Sequence, residues 1–192
     1  MRVIAGRFRS RLLSAPEGLS TRPTSDRLRE TLFNVLAPRM EGAAFLDLYA
    51  GSGAVGIEAI SRGAARVTFV ERDPLAARIL RGNLERLGIA DGFRVNTGNV
   101  KVFLRPKAGN GPRQVRYDLV FLDPPYNATE EYATGLGLLG GTAAEHLAPG
   151  ALVIAEHRRQ QPLDERYGRL RRTRVLQQGD AALSFYESAE RA

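Results

Sequence analysis

The sequence predicts an α/β protein built on a doubly wound, mostly parallel sheet. Three observations carry this. Five short strand-like segments, near 45–49, 66–70, 93–97, 117–122 and 151–156, alternate with helical patterns. A glycine-rich turn, Gly51-Ser52-Gly53-Ala54-Val55-Gly56, follows the first run and opens a helix. Two further runs, 169–177 and 181–187, flank Gln178-Gly179-Asp180 and predict an antiparallel hairpin. Five parallel strands plus that hairpin make seven strands with a reversed terminal strand.

The elements follow in order. Residues 2–14 alternate apolar and polar around Gly6 and predict a strand pair. Thr24 or Ser25 can cap a helix over 25–37, where Leu28, Leu32, Phe33, Val35 and Leu36 have helical spacing and Pro38 ends it. Residues 1–38 therefore read as an extension of hairpin and helix, and 39–192 as the main domain. Val55–Arg62 is helical. Asp73 caps the next helix, with Pro74 just inside it and Gly88 beyond its end. Val100–Leu104 is a short helix, and 105–116 an exposed loop. The unbroken apolar run 117–122 suits a strand covered on both faces. A helix over roughly 130–147 carries interrupting glycines.

Composition narrows the chemistry. The 192 residues are 43% hydrophobic and 26% charged, within the globular range. No apolar run approaches the roughly 20 residues that span a bilayer, and the Arg-rich start lacks a signal-peptide core, so a cytoplasmic protein is expected. Cysteine is absent, which removes disulfides, thiolate metal sites, cysteine-nucleophile chemistry and cysteine-held clusters. With only His146 and His157, no metal centre is expected. The net charge is +7 and is almost all arginine, clustered near both ends. Arginine forks suit phosphate, so a polyanionic partner is expected.

The turn Asp47-Leu48-Tyr49-Ala50-Gly51-Ser52-Gly53 lets the backbone approach a ligand at a helix start. Glu71 lies at the end of the second strand, where a carboxylate can accept from both ribose hydroxyls. NAD and S-adenosylmethionine share an adenosine half, so the turn alone fits either. Asp47 tips the balance. Its carboxylate repels a pyrophosphate but suits an ammonium and a sulfonium.

Asp123-Pro124-Pro125-Tyr126 ends the fourth strand, at the ligand end of such a sheet. The prolines remove two donors and leave carbonyls as acceptors. Asp123 and a neighbouring carbonyl can hold both hydrogens of an aryl amine, localise its lone pair and stabilise positive charge on nitrogen. Tyr126 offers a ring to stack on a base.

Together these residues resemble Rossmann-fold, class I amino-methyltransferases. The segment Arg22-Pro23-Thr24-Ser25-Asp26-Arg27-Leu28-Arg29-Glu30-Thr31-Leu32-Phe33-Asn34 and the opening Arg2-Val3-Ile4-Ala5-Gly6-Arg7-Phe8-Arg9 are similar to the RsmD family, whose members methylate N2 of a guanine in 16S rRNA. The resemblance covers nearly the whole chain and weakens after about residue 157. It implies S-adenosyl-L-methionine as cofactor, with Asp47, Tyr49, Ala50, Gly51, Ser52 and Gly53 at its methionine end. It implies Glu71 and Arg72 at the ribose and Asn99 and Val100 at the adenine. Many relatives carry Asp where Asn99 stands. Asp123 closes the cofactor site, and Asp123, Pro124, Pro125 and Tyr126 form the catalytic clamp. Arg7, Arg9, Arg11, Arg22, Thr24, Arg27 and Arg158 are the implied RNA contacts. The implied substrate is the guanine(966)-N2 site on an assembled or partly assembled small subunit, met by a monomer.

Three other readings stay open on the residues. DNA or other RNA amino-methylation, such as adenine N6, can use the same tetrapeptide, but for DNA a recognition domain is expected and the chain has no room for one. An NAD(P)-dependent oxidoreductase leaves Asp47 and the Pro-Pro clamp unexplained. A non-catalytic RNA-binding factor would keep only the shell. His157 reads as an RNA contact or a residue without a role, and His146 as a favourable charge at a helix end.

Overall fold

The computed structural model describes residues 1–15, 25–106, 115–125 and 128–188. The first helix, α1 (Asp26–Leu36), begins where Ser25 Oγ accepts from the Leu28 N–H. Then follow β1 (Ala44–Leu48), α2 (Ala54–Ser61), β2 (Arg66–Glu71), α3 (Pro74–Arg86), β3 (Phe93–Thr97), α4 (Val100–Phe103), β4 (Tyr117–Leu122), α5 (Thr129–Leu139), β5 (Leu147–Arg158), β6 (Arg166–Tyr167), β7 (Leu170–Gln178) and β8 (Ala181–Ser188). Asp73 caps α3 as expected, accepting from the N–H groups of Leu75 and Ala76.

One eight-stranded sheet runs β3-β2-β1-β4-β5-β8-β7-β6. β1 to β5 are parallel, and β8 lies antiparallel between β5 and β7. The strand order reverses between β1 and β4, and ligands of such sheets bind at the strand ends there. The expected count of seven strands becomes eight, because β6 adds a two-residue edge pairing to β7. Both faces are covered. On one face, Leu32 and Phe33 of α1, Ile57 of α2 and Leu80 of α3 pack with Phe45 and Phe121. On the other, Val100 of α4 and Leu136 and Leu139 of α5 pack with Leu46, Val120 and Val153. That is why these strands read as continuous apolar runs.

Four expectations need correction. The hairpin or strand pair over 2–14 is shorter than expected: Arg2 bridges Leu12, and the Val3 and Leu13 N–H groups donate to the Arg11 and Met1 carbonyls, while the following residues pack onto α2. Val3 and Leu13 enter the first core, while the Ile4 and Ala5 N–H groups donate to the Glu58 carboxylate. Gly6 there has φ +79°, and a Cβ on it would lie 1.8 Å from the Ser61 carbonyl oxygen. Secondly, the helix expected to 147 stops at Leu139. The Gly140 carbonyl accepts from the Arg169 N–H, and a Cβ on Gly140 would meet the Tyr167 carbonyl, so the β6–β7 turn needs bare backbone. Thirdly, His146 lies in a 3₁₀ turn, buried and packed against the rings of Phe103 and Tyr117, and no longer at a helix end facing solvent. Fourthly, β5 extends to Arg158 and encloses His157. Burial lowers the pKa of this imidazole, and its Nε2 lies 2.8 Å from Ser184 Oγ, which makes it an internal residue and no RNA contact.

Candidate active site

The glycine turn is built by three connections. Asp47, near the end of β1, accepts the Gly56 N–H at 2.8 Å and so caps the start of α2 from below. Glu71, at the end of β2, accepts the Gly51 N–H through Oε2 at 2.7 Å and the Asp73 N–H through Oε1 at 2.8 Å. Asn83 of α3 donates to the carbonyls of Ser52 and Ser14 at 3.0 Å each, which ties the turn to the N-terminal segment. Gly51 and Gly53 have φ +55° and +83°, the left-handed region that favours glycine. A Cβ on Gly51 would meet nothing within 4 Å, so the turn opens into free space on that side. A Cβ on Gly56 would lie 2.2 Å from the Phe69 ring, so the third glycine serves close packing of helix on strand. Ala50 and Ser52 are buried and present backbone to the cleft.

The expected cofactor and clamp residues that the structure describes lie at the carboxyl ends of the neighbouring strands. Leu48 pairs with Leu122, so Asp123 leaves β4 beside the point where Tyr49 leaves the adjacent β1. Asp123 and Pro125 are half-buried and Pro124 is buried. Arg72 follows Glu71 and pairs with Glu131. Asn99 follows β3 and caps α4 through Oδ1, which accepts the Lys101 N–H at 2.8 Å. Val100 is buried in the second core. Tyr126 lies outside the described residues, as do Arg22 and Thr24.

The arginine clusters separate in space. Arg27 in the first turn of α1 and Arg158 at the end of β5 share the carboxyl end of the sheet with Asp123. Thr31 Oγ1 of α1 meets Gln178 at the end of β7, and the Arg159 N–H donates to Asp180. Arg7 and Arg9 do not sit there. The Arg7 N–H donates to Ser61, the last residue of α2, about 12 Å along that helix from the glycine turn. Arg11 lies on the exposed return strand beside Arg2. Arg166, Arg169 and Arg171 are at the amino end of the sheet, where β7 starts beside Ser188. Arg29 is fully buried and donates to the Arg2 carbonyl and to Asp26. Proximity in sequence had grouped residues that the fold places at opposite ends.

Burial raises the Asp47 carboxyl from its ordinary value to about 7, against the lowering effect of the Gly56 N–H, and the Glu71 carboxylate adds to the rise. The native state therefore holds a proton on Asp47 that the unfolded chain releases from about pH 4 upward. This group's contribution to stability falls as pH rises from about 4 to about 7 and is level above that. Asn at position 47 keeps an oxygen for Gly56 without the titration. The melting temperature of Asp47→Asn relative to the parent should therefore climb across that window. A difference that stays constant from pH 4 to pH 8 would refute the raised carboxyl.

Residues 1–187 match the family described as conserved hypothetical protein 95. YlbH of Bacillus subtilis, provisionally named an rRNA methyltransferase, is 36% identical over 97% of this chain and 98% of its own. The ribosomal RNA small subunit methyltransferase D of Haemophilus influenzae is 37% identical over 85% of this chain and 81% of its own. A solved structure of Escherichia coli yhhF, provisionally named a methyltransferase, superposes with a TM-score of 0.81 at 36% identity, covering 98% and 97% of the two chains. The chain belongs to the RsmD/YlbH family. The resemblance drawn from Arg22–Asn34 and the glycine turn is thereby confirmed, as is the class I methyltransferase fold.

The sequence implied S-adenosylmethionine as the cofactor. The residues present fit it. The open side of Gly51 admits a ligand against backbone. Each Glu71 oxygen accepts one backbone N–H and retains a lone pair for a ribose hydroxyl. Asn83 and Glu58 escaped the sequence analysis: each lies inside a helical pattern, and only its partners in the fold distinguish it. Among the described residues no helix is long and apolar enough to cross a membrane.

Proposed function

We propose that the enzyme methylates N2 of a guanine in 16S rRNA, the guanine(966)-N2 site, on an assembled or partly assembled small subunit. The observation that carries this reading is the register of β1 with β4, which sets Asp123 beside the glycine turn. Asp47, Tyr49 to Gly53, Glu71, Arg72, Asn99 and Val100 hold S-adenosylmethionine, which when bound supplies an electrophilic methyl group. Asn99 Oδ1 already serves the α4 cap, so its amide NH2 is the group offered to the adenine.

The chain's own residues do the rest. The Asp123 carboxylate accepts one hydrogen of the guanine amino group, and a neighbouring clamp carbonyl accepts the other. This grip favours a pyramidal nitrogen and aims its lone pair at the donor side. Charge developing on nitrogen is stabilised by Asp123. The resulting aryl ammonium is acidic enough to lose its proton to water, so no general base is required. Pro124 and Pro125 keep the carbonyls from being turned away, and Tyr126 stacks on the base.

Residues 1–38 act as the RNA-contacting extension and 39–192 as the catalytic domain. Arg27 and Arg158, on the clamp side of the molecule, are the proposed phosphate contacts beside the target base, with Arg22 and Thr24. Arg7, Arg9 and Arg11 reach RNA only if it continues along the α2 flank. Mass-spectrometric mapping of 16S rRNA from cells with and without the gene tests the assignment. Loss of one N2-methylguanosine at that site is expected. An unchanged map overturns the substrate.

A further inference from the structure

Tyr49, Arg72 and Glu131 come from three separate elements and meet at one carboxylate. Tyr49 lies in the turn after β1, Arg72 follows β2, and Glu131 is in the first turn of α5. The Tyr49 hydroxyl donates to Glu131 Oε2 at 2.9 Å, and Arg72 Nη1 lies 3.6 Å from Oε1. In the order β2-β1-β4 this connection crosses above the end of β1. It joins the ribose side of the cleft to the helix that continues from the clamp. The Ala128 N–H donates back to the Pro125 carbonyl at 2.8 Å, so the start of α5 is itself tied to the clamp.

Two features show that the Tyr49 bond has a positional task. Tyr49 has φ +64°, a left-handed conformation that a side chain of this size rarely adopts and that persists only when its surroundings impose it. Gly135, one turn beyond Glu131, brings α5 against β4. A Cβ on it would lie 2.8 Å from Leu122 Cδ2 and 3.8 Å from the Tyr49 hydroxyl. The phenol is therefore held between strand end and helix. Burial raises its pKa far above the ordinary range, so it remains a donor at every working pH. The Arg72 contact is longer, and its side chain is 56% exposed, so it adds little.

We propose that Glu131 is a positioning residue: by accepting from Tyr49 it sets the separation between the glycine turn and the Asp123 clamp. The inference rests on the reading that the turn holds the methyl donor and Asp123 the acceptor amine. Methyl transfer is sensitive to that separation, since a misplacement of about 1 Å can cost about 100-fold in rate.

The test measures steady-state methyl transfer from S-adenosylmethionine to small ribosomal subunits lacking the modification, together with cofactor affinity and melting temperature. Tyr49→Phe and Glu131→Ala should each lower kcat by at least about 10-fold, with KM for the cofactor changed less than about 3-fold and melting within a few degrees of the parent. Glu131→Gln still offers Tyr49 an oxygen and should stay within about 3-fold of the parent. The double variant Tyr49→Phe/Glu131→Ala should be no worse than Glu131→Ala alone, as for one shared interaction. Parental kcat in Tyr49→Phe overturns the inference. So does equal loss in the Gln and Ala variants, which would assign the effect to charge. Should Glu131→Ala fail to fold, Tyr49→Phe, which removes one hydroxyl, decides. Asp123→Ala in the same assay separates the two levels. If that variant stays active, the catalytic reading fails; if it is inactive while Tyr49→Phe is normal, only the role of Glu131 fails.

Discussion

Asp123→Ala should lower kcat for methyl transfer by about 1,000-fold or more while leaving the affinities for RNA and S-adenosylmethionine near those of the parent. Asp123 leaves β4 next to the turn after β1, and in the proposed mechanism its carboxylate receives the incoming amine. An aryl amine is a poor nucleophile because its lone pair is shared with the ring. Removing the acceptor for one of its hydrogens loses both orientation and stabilisation of the forming cation. Loss of a single preorganised charge-stabilising group in other enzymes costs about 10²–10³ in kcat, and loss of orientation adds to that. Asn keeps an oxygen that can accept from the amine and loses only the negative charge, so Asp123→Asn should lose less than Asp123→Ala. Single-turnover rates on small subunits, with binding measured separately, check this. Methyl transfer at the parental rate in Asp123→Ala would remove the clamp from the mechanism. Lost RNA binding in a folded variant would recast Asp123 as a binding residue.

A second large effect is expected far from the clamp. Glu58 is fully buried in α2, and its two oxygens serve the N-terminal segment and two arginines. Oε1 accepts from the Ala5 N–H at 3.0 Å and Arg62 Nε at 2.7 Å, while Oε2 accepts from the Ile4 N–H at 2.7 Å. Arg29 Nε lies 3.9 Å from Oε2, and the Arg29 side chain is also fully buried. Burial already disfavours the Arg29 charge, while Asp26 and Glu58 support it. Glu58→Ala leaves that guanidinium facing a void and two backbone N–H groups without acceptors. Breaking a buried pair costs about 3–5 kcal/mol, and a chain of this size loses roughly 2–4 °C of melting temperature per kcal/mol. A fall of about 10 °C is therefore expected by calorimetry. Adding Arg29→Met should recover part of it, since the stranded charge is then gone while the two N–H groups remain unpaired. A fall of less than about 3 °C would mean that water replaces the carboxylate cheaply.

Much of the catalytic half was legible because it is local. Asp73-Pro74 starts α3, Gly51-Ser52-Gly53 turns the backbone, and Phe93–Thr97 and Tyr117–Leu122 are strands at the boundaries that their apolar runs suggest. The errors arose where a segment's state depends on something distant. The helix expected to 147 ends at Leu139 because Gly140 must admit the β6–β7 turn, which lies almost 30 residues on. Residues 2–14 pair only over their outer part, where Val3 and Leu13 bond across the two arms, because the Glu58 carboxylate takes the Ile4 and Ala5 N–H groups that a longer pairing would need. His157 among arginines looks like an RNA contact by sequence, and its side chain turns inward to Ser184.

By itself the sequence determined the α/β alternation, the glycine turn, the acid at the end of β2, the proline-rich exit from β4 and the family. These are set by backbone chemistry and periodicity within a few residues, which any fold containing them must honour. The tertiary structure decided which charges share an end of the sheet and which are internal. Arg27 and Arg158 share the clamp end, Arg7 and Arg166 lie away from it, and Arg29 is sealed inside. Charge acts through distance in space, and that distance exists only once strand order and helix packing have been chosen.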